Sequence, residues 1–99
     1  MKDFLYYNEL FDLYGDLLTD HERDNFLEYY QEDLSLSEIA ENKNVSRSAV
    51  SKTINTVIDK LNNYEDKLHM YQKKQTLIKI TKIDDLNKIK EEINKMLDN

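Results

Sequence analysis

Residues 35–61 constrain this chain more than any other stretch, because two helical patterns meet there across the four residues Lys43, Asn44, Val45 and Ser46. The first pattern opens on Ser35 with Glu38 three residues on. In that capping box the Ser hydroxyl and the Glu carboxylate satisfy helix-start amides that otherwise have no partner. Ile39 and Ala40 then face inward, and Ala40 is small enough for a second helix to cross closely over it. Asn44 stands where the chain must reverse, and Asn tolerates the left-handed conformation better than any residue except Gly. Val45 is expected to plug the turn, and Ser46 to cap the next helix. Val50, Ile54, Val57, Ile58 and Leu61 supply that helix with a buried stripe at a 3.6-residue period. Its outer face carries Arg47, Ser48, Ser51, Lys52 and Asn55, donor-rich side chains of the kind that reach base edges and phosphates in a major groove. Caps, turn residue and apolar positions agree on a helix-turn-helix. An ordinary helical hairpin, solvated on its outer face, is the plain alternative.

Composition sets the frame for this motif. Ninety-nine residues with no Pro, one Gly and 34% charged side chains predict an all-α protein. Such a chain buries a modest core, so pairing with a second copy would help its stability. The absence of Cys removes disulfides and thiolate metal sites. There is no Gly-rich phosphate loop and no cluster at metal-ligand spacing, so the expectation is a non-enzyme with no catalytic residues, no metal and no cofactor. No apolar run reaches the roughly 18 residues of a membrane span, and the chain opens without a signal-peptide pattern. The expected location is therefore cytoplasmic, with no membrane insertion.

The net charge of −6 opposes a plain DNA-binding protein, but it is unevenly spread. Residues 1–34 carry Lys2 and Arg23 against ten acids, whereas 35–60 and 61–99 each sum to +1. The acidity belongs to the N-terminal third. Phosphate neutralisation supplies most affinity for nucleic acid, so binding by one copy should be weak.

The flanking segments read as helices. Phe4, Tyr7, Phe11 and Tyr14, with Leu5, Leu10 and Leu18 beside them, predict a helix over 3–14 with an aromatic core face, ended near Gly15. Thr19 and Glu22 form a second capping box, opening a helix to about Gln31 whose buried stripe is Phe26, Leu27 and Tyr30. His21 in its first turn reads as solvated. The helix opened by Arg47 shows no Pro or Gly through Lys82. Its apolar positions Val50, Ile54, Val57, Leu61, Tyr64, Leu68 and Tyr71 recur at alternating steps of four and three, a coiled-coil seam. The part beyond the core, Leu61, Tyr64, Leu68 and Tyr71, is the expected homodimer interface. Residues 81–84 are expected to cap a last helix with the stripe Ile83, Leu86, Ile89, Ile93, Met96 and Leu97. The expected organisation is a core of N-terminal helices plus helix-turn-helix over 1–60, with a long-helix extension and C-terminal helix over 61–99, forming one dimerising structural unit.

Two resemblances follow from particular residues. Leu18-Thr19, Glu22-Arg23, Phe26 and Tyr30, followed by the phrases at 34–41 and 45–50, resemble region four of bacterial sigma factors, whose helix-turn-helix reads the −35 promoter element. Nearly the whole chain is similar to the YlxM family. The likeness is carried by the aromatic-acidic opening helix, by Ser37-Glu38-Ile39-Ala40 with Val45-Ser46-Arg47-Ser48-Ala49-Val50, and by Leu61-Asn62-Asn63-Tyr64-Glu65-Asp66-Lys67-Leu68. Asn44 departs from it by replacing a common Gly at the turn. The second resemblance implies a small helix-turn-helix protein encoded beside signal recognition particle genes. It further implies an accessory role in that targeting pathway, with the particle RNA or its GTPases as partners, and it brings no catalytic residue with it. The rival expectation is a homodimeric DNA-binding transcriptional regulator. A third is a helix-turn-helix used only to dock protein.

Overall fold

The computed structural model describes residues 3–98. They form six α-helices and no strand, so the all-α expectation holds: α1 Phe4–Tyr14, α2 Asp20–Phe26, α3 Leu36–Lys43, α4 Arg47–Leu68, α5 Met70–Ile80 and α6 Leu86–Asp98. The chain divides between Leu68 and His69 into two compact units.

The first unit begins with α1, capped by Asp3, whose carboxylate accepts from the Tyr6 amide at 3.0 Å. Leu10 and Tyr14 are fully buried, while Phe4, Tyr7 and Phe11 are half-buried. Leu5, on the other side of the helix, is exposed. The aromatic face meets the rings of the following helix: Phe11 stacks on Phe26 at 4.4 Å, and Phe4 sits edge-on to Tyr30 at 5.1 Å. Gly15 ends α1 for a different reason from the expected one. Its φ is −57°, which any residue adopts, but a Cβ there would lie 3.2 Å from the Phe11 ring. Close approach, not left-handed backbone, selects Gly.

The Thr19–Glu22 capping box forms as expected, with Thr19 N–H donating to Glu22 Oε1 at 2.9 Å and Glu22 N–H to Thr19 Oγ1 at 3.2 Å. After Phe26 the helix widens into a π turn over Leu27–Gln31. Asp33 then takes a left-handed φ of 59° and sends the chain toward α3.

The second half of α4 is where structure and sequence pattern part. Leu61 is fully enclosed by its own chain. Around it α4 makes a polar ladder to α1 and α2. Tyr14 Oη donates to the buried Glu65 at 2.7 Å, Lys60 Nζ to Glu22 at 2.7 Å, and Asn62 Nδ2 to Tyr7 Oη at 3.1 Å. Tyr64 is half-buried, its ring 5.8 Å from that of Tyr14. Burial alone would raise the Glu22 carboxyl, but hydrogen bonds from Lys60 and from the Thr19 backbone outweigh it and hold the group below its ordinary range. Of the four expected dimer-interface residues, then, Leu61 has no surface to offer a second copy. It is core, because α1 packs over the segment that the seam alone would leave uncovered.

The helix does not run through to Lys82 either. It ends at Leu68, and His69 adopts the left-handed conformation at φ 54°. His is among the few non-Gly residues enriched there, so neither Gly nor Pro is needed for the break. In the second unit, α5 and α6 join through a short turn in which Ile83 N–H donates to the Ile80 carbonyl at 3.0 Å. Asp85, rather than residues 81–84, caps α6: its carboxylate accepts from the Asn87 and Lys88 amides at 2.9 and 3.2 Å. Ile80 is buried, while Leu77, Leu86, Ile93 and Leu97 are exposed.

Candidate nucleic-acid interface

The reading motif is built by local chemistry. Ser35 N–H donates to Glu38 Oε1 at 2.9 Å, and Glu38 N–H donates to Ser35 Oγ at 3.0 Å. The Ser35 backbone donor holds the Glu38 carboxyl below its usual range. At the other end of α3, Asn44 is left-handed at φ 56° and ψ 45°. Asn44 N–H donates to the Glu41 carbonyl at 3.3 Å and Val45 N–H to the Ala40 carbonyl at 3.0 Å, the paired closure of a Schellman turn. Ser46 Oγ accepts from Ala49 N–H at 3.1 Å and so starts α4. With both ends of the reversal hydrogen-bonded, α3 and α4 cross over a small core of Ile39, Ala40, Val50 and Ile54. Tyr29, Leu34, Leu36 and Ile58 pack around it. Val45, expected to plug the turn, is 47% exposed instead. It lines a surface depression of about 320 Å³ together with His21, Asn25 and Lys43.

That core fixes which side of α4 faces outward. Arg47, Ser48, Lys52 and Asn55 are exposed and Ser51 is half-exposed, so all five sequence-predicted residues lie on accessible positions of one helix. They are not equivalent. The Ser48 hydroxyl lies 3.2 Å from that of Ser46 and belongs to the cap. Thr53 and Thr56 fold back on the helix, their hydroxyls donating to the Ala49 and Lys52 carbonyls at 3.1 and 3.0 Å. Arg47 and Lys52 make no ion pair among the described residues, and within the same limits the Ser51 hydroxyl and Asn55 amide make no hydrogen bond. Two cations and two neutral hydrogen-bonding groups therefore remain open on the face. Such a set can bind phosphate through charge and a base edge through the amide.

The sequence reading missed a neighbouring feature. Ser51 and Asn55 form one wall of a cleft of about 190 Å³, whose opposite wall is Tyr29, Tyr30 and Leu36. The π turn brings the two Tyr rings to that wall with their centroids 5.3 Å apart and 60° between planes. Burial pushes the Tyr30 hydroxyl up to about 12, with the neighbouring Tyr29 and Tyr7 adding to it, so it stays protonated at any ordinary pH. Aromatic spacing could have flagged Tyr29 and Tyr30, but the extra residue of the π turn has no simple sequence signature. Of the remaining expected interface residues, Tyr64 packs on α1, Leu68 is 46% exposed at the end of α4, and Tyr71 is half-buried on α5. No helix among the described residues is long and apolar enough to cross a membrane. Nor, among the same residues, does any group of three His, Cys, Asp or Glu side chains form a metal-binding cluster.

Comparison with known proteins gives this geometry its relatives. A family model described as "UPF0122: Putative helix-turn-helix protein, YlxM / p13 like" matches residues 1–99. A UPF0122 protein of Fusobacterium nucleatum is 36% identical over 101 residues, covering 100% of this chain and 96% of the relative. One from Mycoplasma capricolum is 43% identical over 84 residues, covering 85% of this chain and 74% of the relative. One from Desulforamulus reducens reaches 51% identity over 74 residues, or 74% of this chain, and there the match spans 62% of the relative's length. The match from end to end, on a chain whose α3 and α4 are joined by a capped reversal, shows that this protein belongs to the YlxM/p13-like helix-turn-helix family.

Proposed function

We propose that this protein is a non-enzymatic nucleic-acid-binding regulator that works through α3 and the exposed face of α4. The observation that carries this reading is the open set Arg47, Ser51, Lys52 and Asn55 on a helix positioned by two capped turns. Arg47 and Lys52 supply phosphate contacts, and Asn55 and Ser51 supply direct contact with bases. With two cations and a strongly acidic N-terminal third, a single copy binds weakly and with modest salt sensitivity. Pairing of two copies through the second unit doubles the contacts. Two helices of this size cannot enclose Leu86, Ile93 and Leu97, which α6 leaves exposed. Leu68 and Tyr71 stand at the junction leading into that unit.

The likeness to the YlxM family favours a place in the signal recognition particle pathway, with the particle RNA as the nucleic acid and the particle GTPases as protein partners. The exposed acids Asp12, Asp16 and Asp24 suit contact with a basic protein surface. Capture from lysate tests this, with wild type beside the Arg47→Ala, Lys52→Ala double variant and with bound RNA, DNA and protein identified together. The expected outcome is recovery of the particle RNA by wild type and its loss in the variant. Enrichment of promoter DNA instead would favour a homodimeric transcriptional regulator. Recovery of no nucleic acid would refute the reading.

A further inference from the structure

We propose that the cleft between the π turn and α4 receives one unpaired nucleobase, so that the protein prefers bulged or single-stranded nucleic acid to a continuous duplex. The inference rests on the nucleic-acid reading above and adds what is recognised.

Three independent features of the cleft lead here. Its volume of about 190 Å³ suits a single flat heterocycle rather than a helix or a peptide. Its wall is aromatic and aliphatic, from Tyr29, Leu36 and Ile58, and among the described residues no carboxylate, Lys, Arg or His lines it. Phosphate and other charged ligands find no counter-charge inside, whereas a neutral π system can lie against the half-buried Tyr29 ring. Ser51 and Asn55 also line it, four residues apart and so on one side of α4. Among the described residues both keep their side chains out of hydrogen bonds, while the neighbouring Thr53, Thr56 and Ser48 hydroxyls are engaged. An Asn amide offers a donor and an acceptor together, the pattern that pairs with one edge of a base.

A base stacked in a B-form duplex shows only its edge to a helix in the groove. To lie against Tyr29 it must leave the stack, which costs least where it is already unpaired. The π turn is what places the aromatic wall opposite Ser51 and Asn55, and insertions of this kind recur at functional sites. Arg47 and Lys52, on the same helix, are available to hold the backbone on either side of the base.

The test compares the full chain against three probes of matched sequence: an RNA hairpin with one bulged adenosine, a single-stranded DNA, and a fully paired DNA duplex. The variants are Asn55→Ala, Tyr29→Leu and the Arg47→Ala, Lys52→Ala pair, with thermal melts confirming that each folds. Asn55 is exposed, so its variant carries the conclusion if Tyr29→Leu is destabilised. Wild type is expected to favour the bulged RNA over the duplex by roughly tenfold, the scale of one stacked base. Asn55→Ala and Tyr29→Leu should erase that preference, lowering affinity for the bulged RNA by more than affinity for the duplex. The charge variant should weaken all three probes together. Equal binding of single-stranded DNA and bulged RNA would mean that the base alone is read, and preference for RNA that the 2′-hydroxyl adds to it. Wild-type binding with no preference, or a preference that survives Asn55→Ala, overturns the cleft assignment and leaves the interface standing. No binding of any probe at low salt overturns both.

Discussion

The two units of this chain solve the same problem with different means. In the first, α1 to α4 enclose Leu10, Tyr14, Phe26, Ile39, Val57 and Leu61 almost completely. In the second, α5 and α6 form an amphipathic pair in which Ile80 is buried while Leu77, Leu86 and Leu97 face outward. Burial of apolar surface is the main favourable term in folding, so stability is concentrated in the first unit. The second leaves Leu77, Leu86, Ile93 and Leu97 exposed. The contrast is between a unit that encloses its apolar side chains and one that leaves several of them exposed, and the proposed association rests on the second.

Truncation is the largest way to break the comparison. Leu61→Ala should destabilise the protein by about 2–5 kcal/mol, because an enclosed Leu leaves a cavity. At dilutions that keep single copies apart, Leu97→Ala, 77% exposed, should stay within about 0.5 kcal/mol. Equal losses in denaturant titration would erase the distinction. The association claim predicts the opposite ranking in sedimentation. Leu86→Lys combined with Leu97→Lys should reduce the mass to that of one chain without loss of helix content. An unchanged mass would remove the second unit from any interface.

Titration isolates the first unit. Tyr30 ionises near 12 when folded but near 10.0 when unfolded, so its stabilising effect is complete below pH 10 and is lost as pH rises toward 12. That loss should appear as a falling unfolding midpoint in base that Tyr30→Phe reduces, the remainder coming from groups such as the Lys60 ammonium, whose raised value also costs stability as pH climbs. Glu22 acts with the opposite sign. Its folded value lies below the ordinary 4.5, so its stabilising effect is present above that value and fades as pH falls through the folded one.

The smallest effects belong to the turn. Ser35→Ala should cost about 1 kcal/mol through loss of the α3 cap. Asn44→Gly should stabilise by a few tenths of a kcal/mol, since Gly meets no steric penalty at φ 56°. A destabilising Asn44→Gly would show that the Asn side chain does more than tolerate the turn.

Particular residues show what can be read from sequence. Both capping boxes, the reversal at Asn44, the Ser46 cap and the inward positions of α4 follow from interactions within a few residues, and all are legible in advance. The arrangement around Leu61 is not. An apolar seam looks the same whether its partner is α1 or a second copy, and only the tertiary fold decides. The break at His69 is hidden for a related reason, since a left-handed His carries no compositional mark comparable to Gly. The cleft depends on a π turn that shifts Tyr29 and Tyr30 by one residue, a change invisible to helical periodicity. The donor face of α4 was therefore accessible to sequence reasoning, and the aromatic wall opposite it was not.

The most direct test of the central claim is the salt dependence of nucleic-acid affinity, measured for wild type and for the Arg47→Ala, Lys52→Ala variant. If α4 presents the binding face, wild type should bind at low salt with affinity falling linearly against log salt. The variant should lose about two units of that slope, one per phosphate contact removed. A slope unchanged by the two substitutions, or no binding at low salt, would contradict the account.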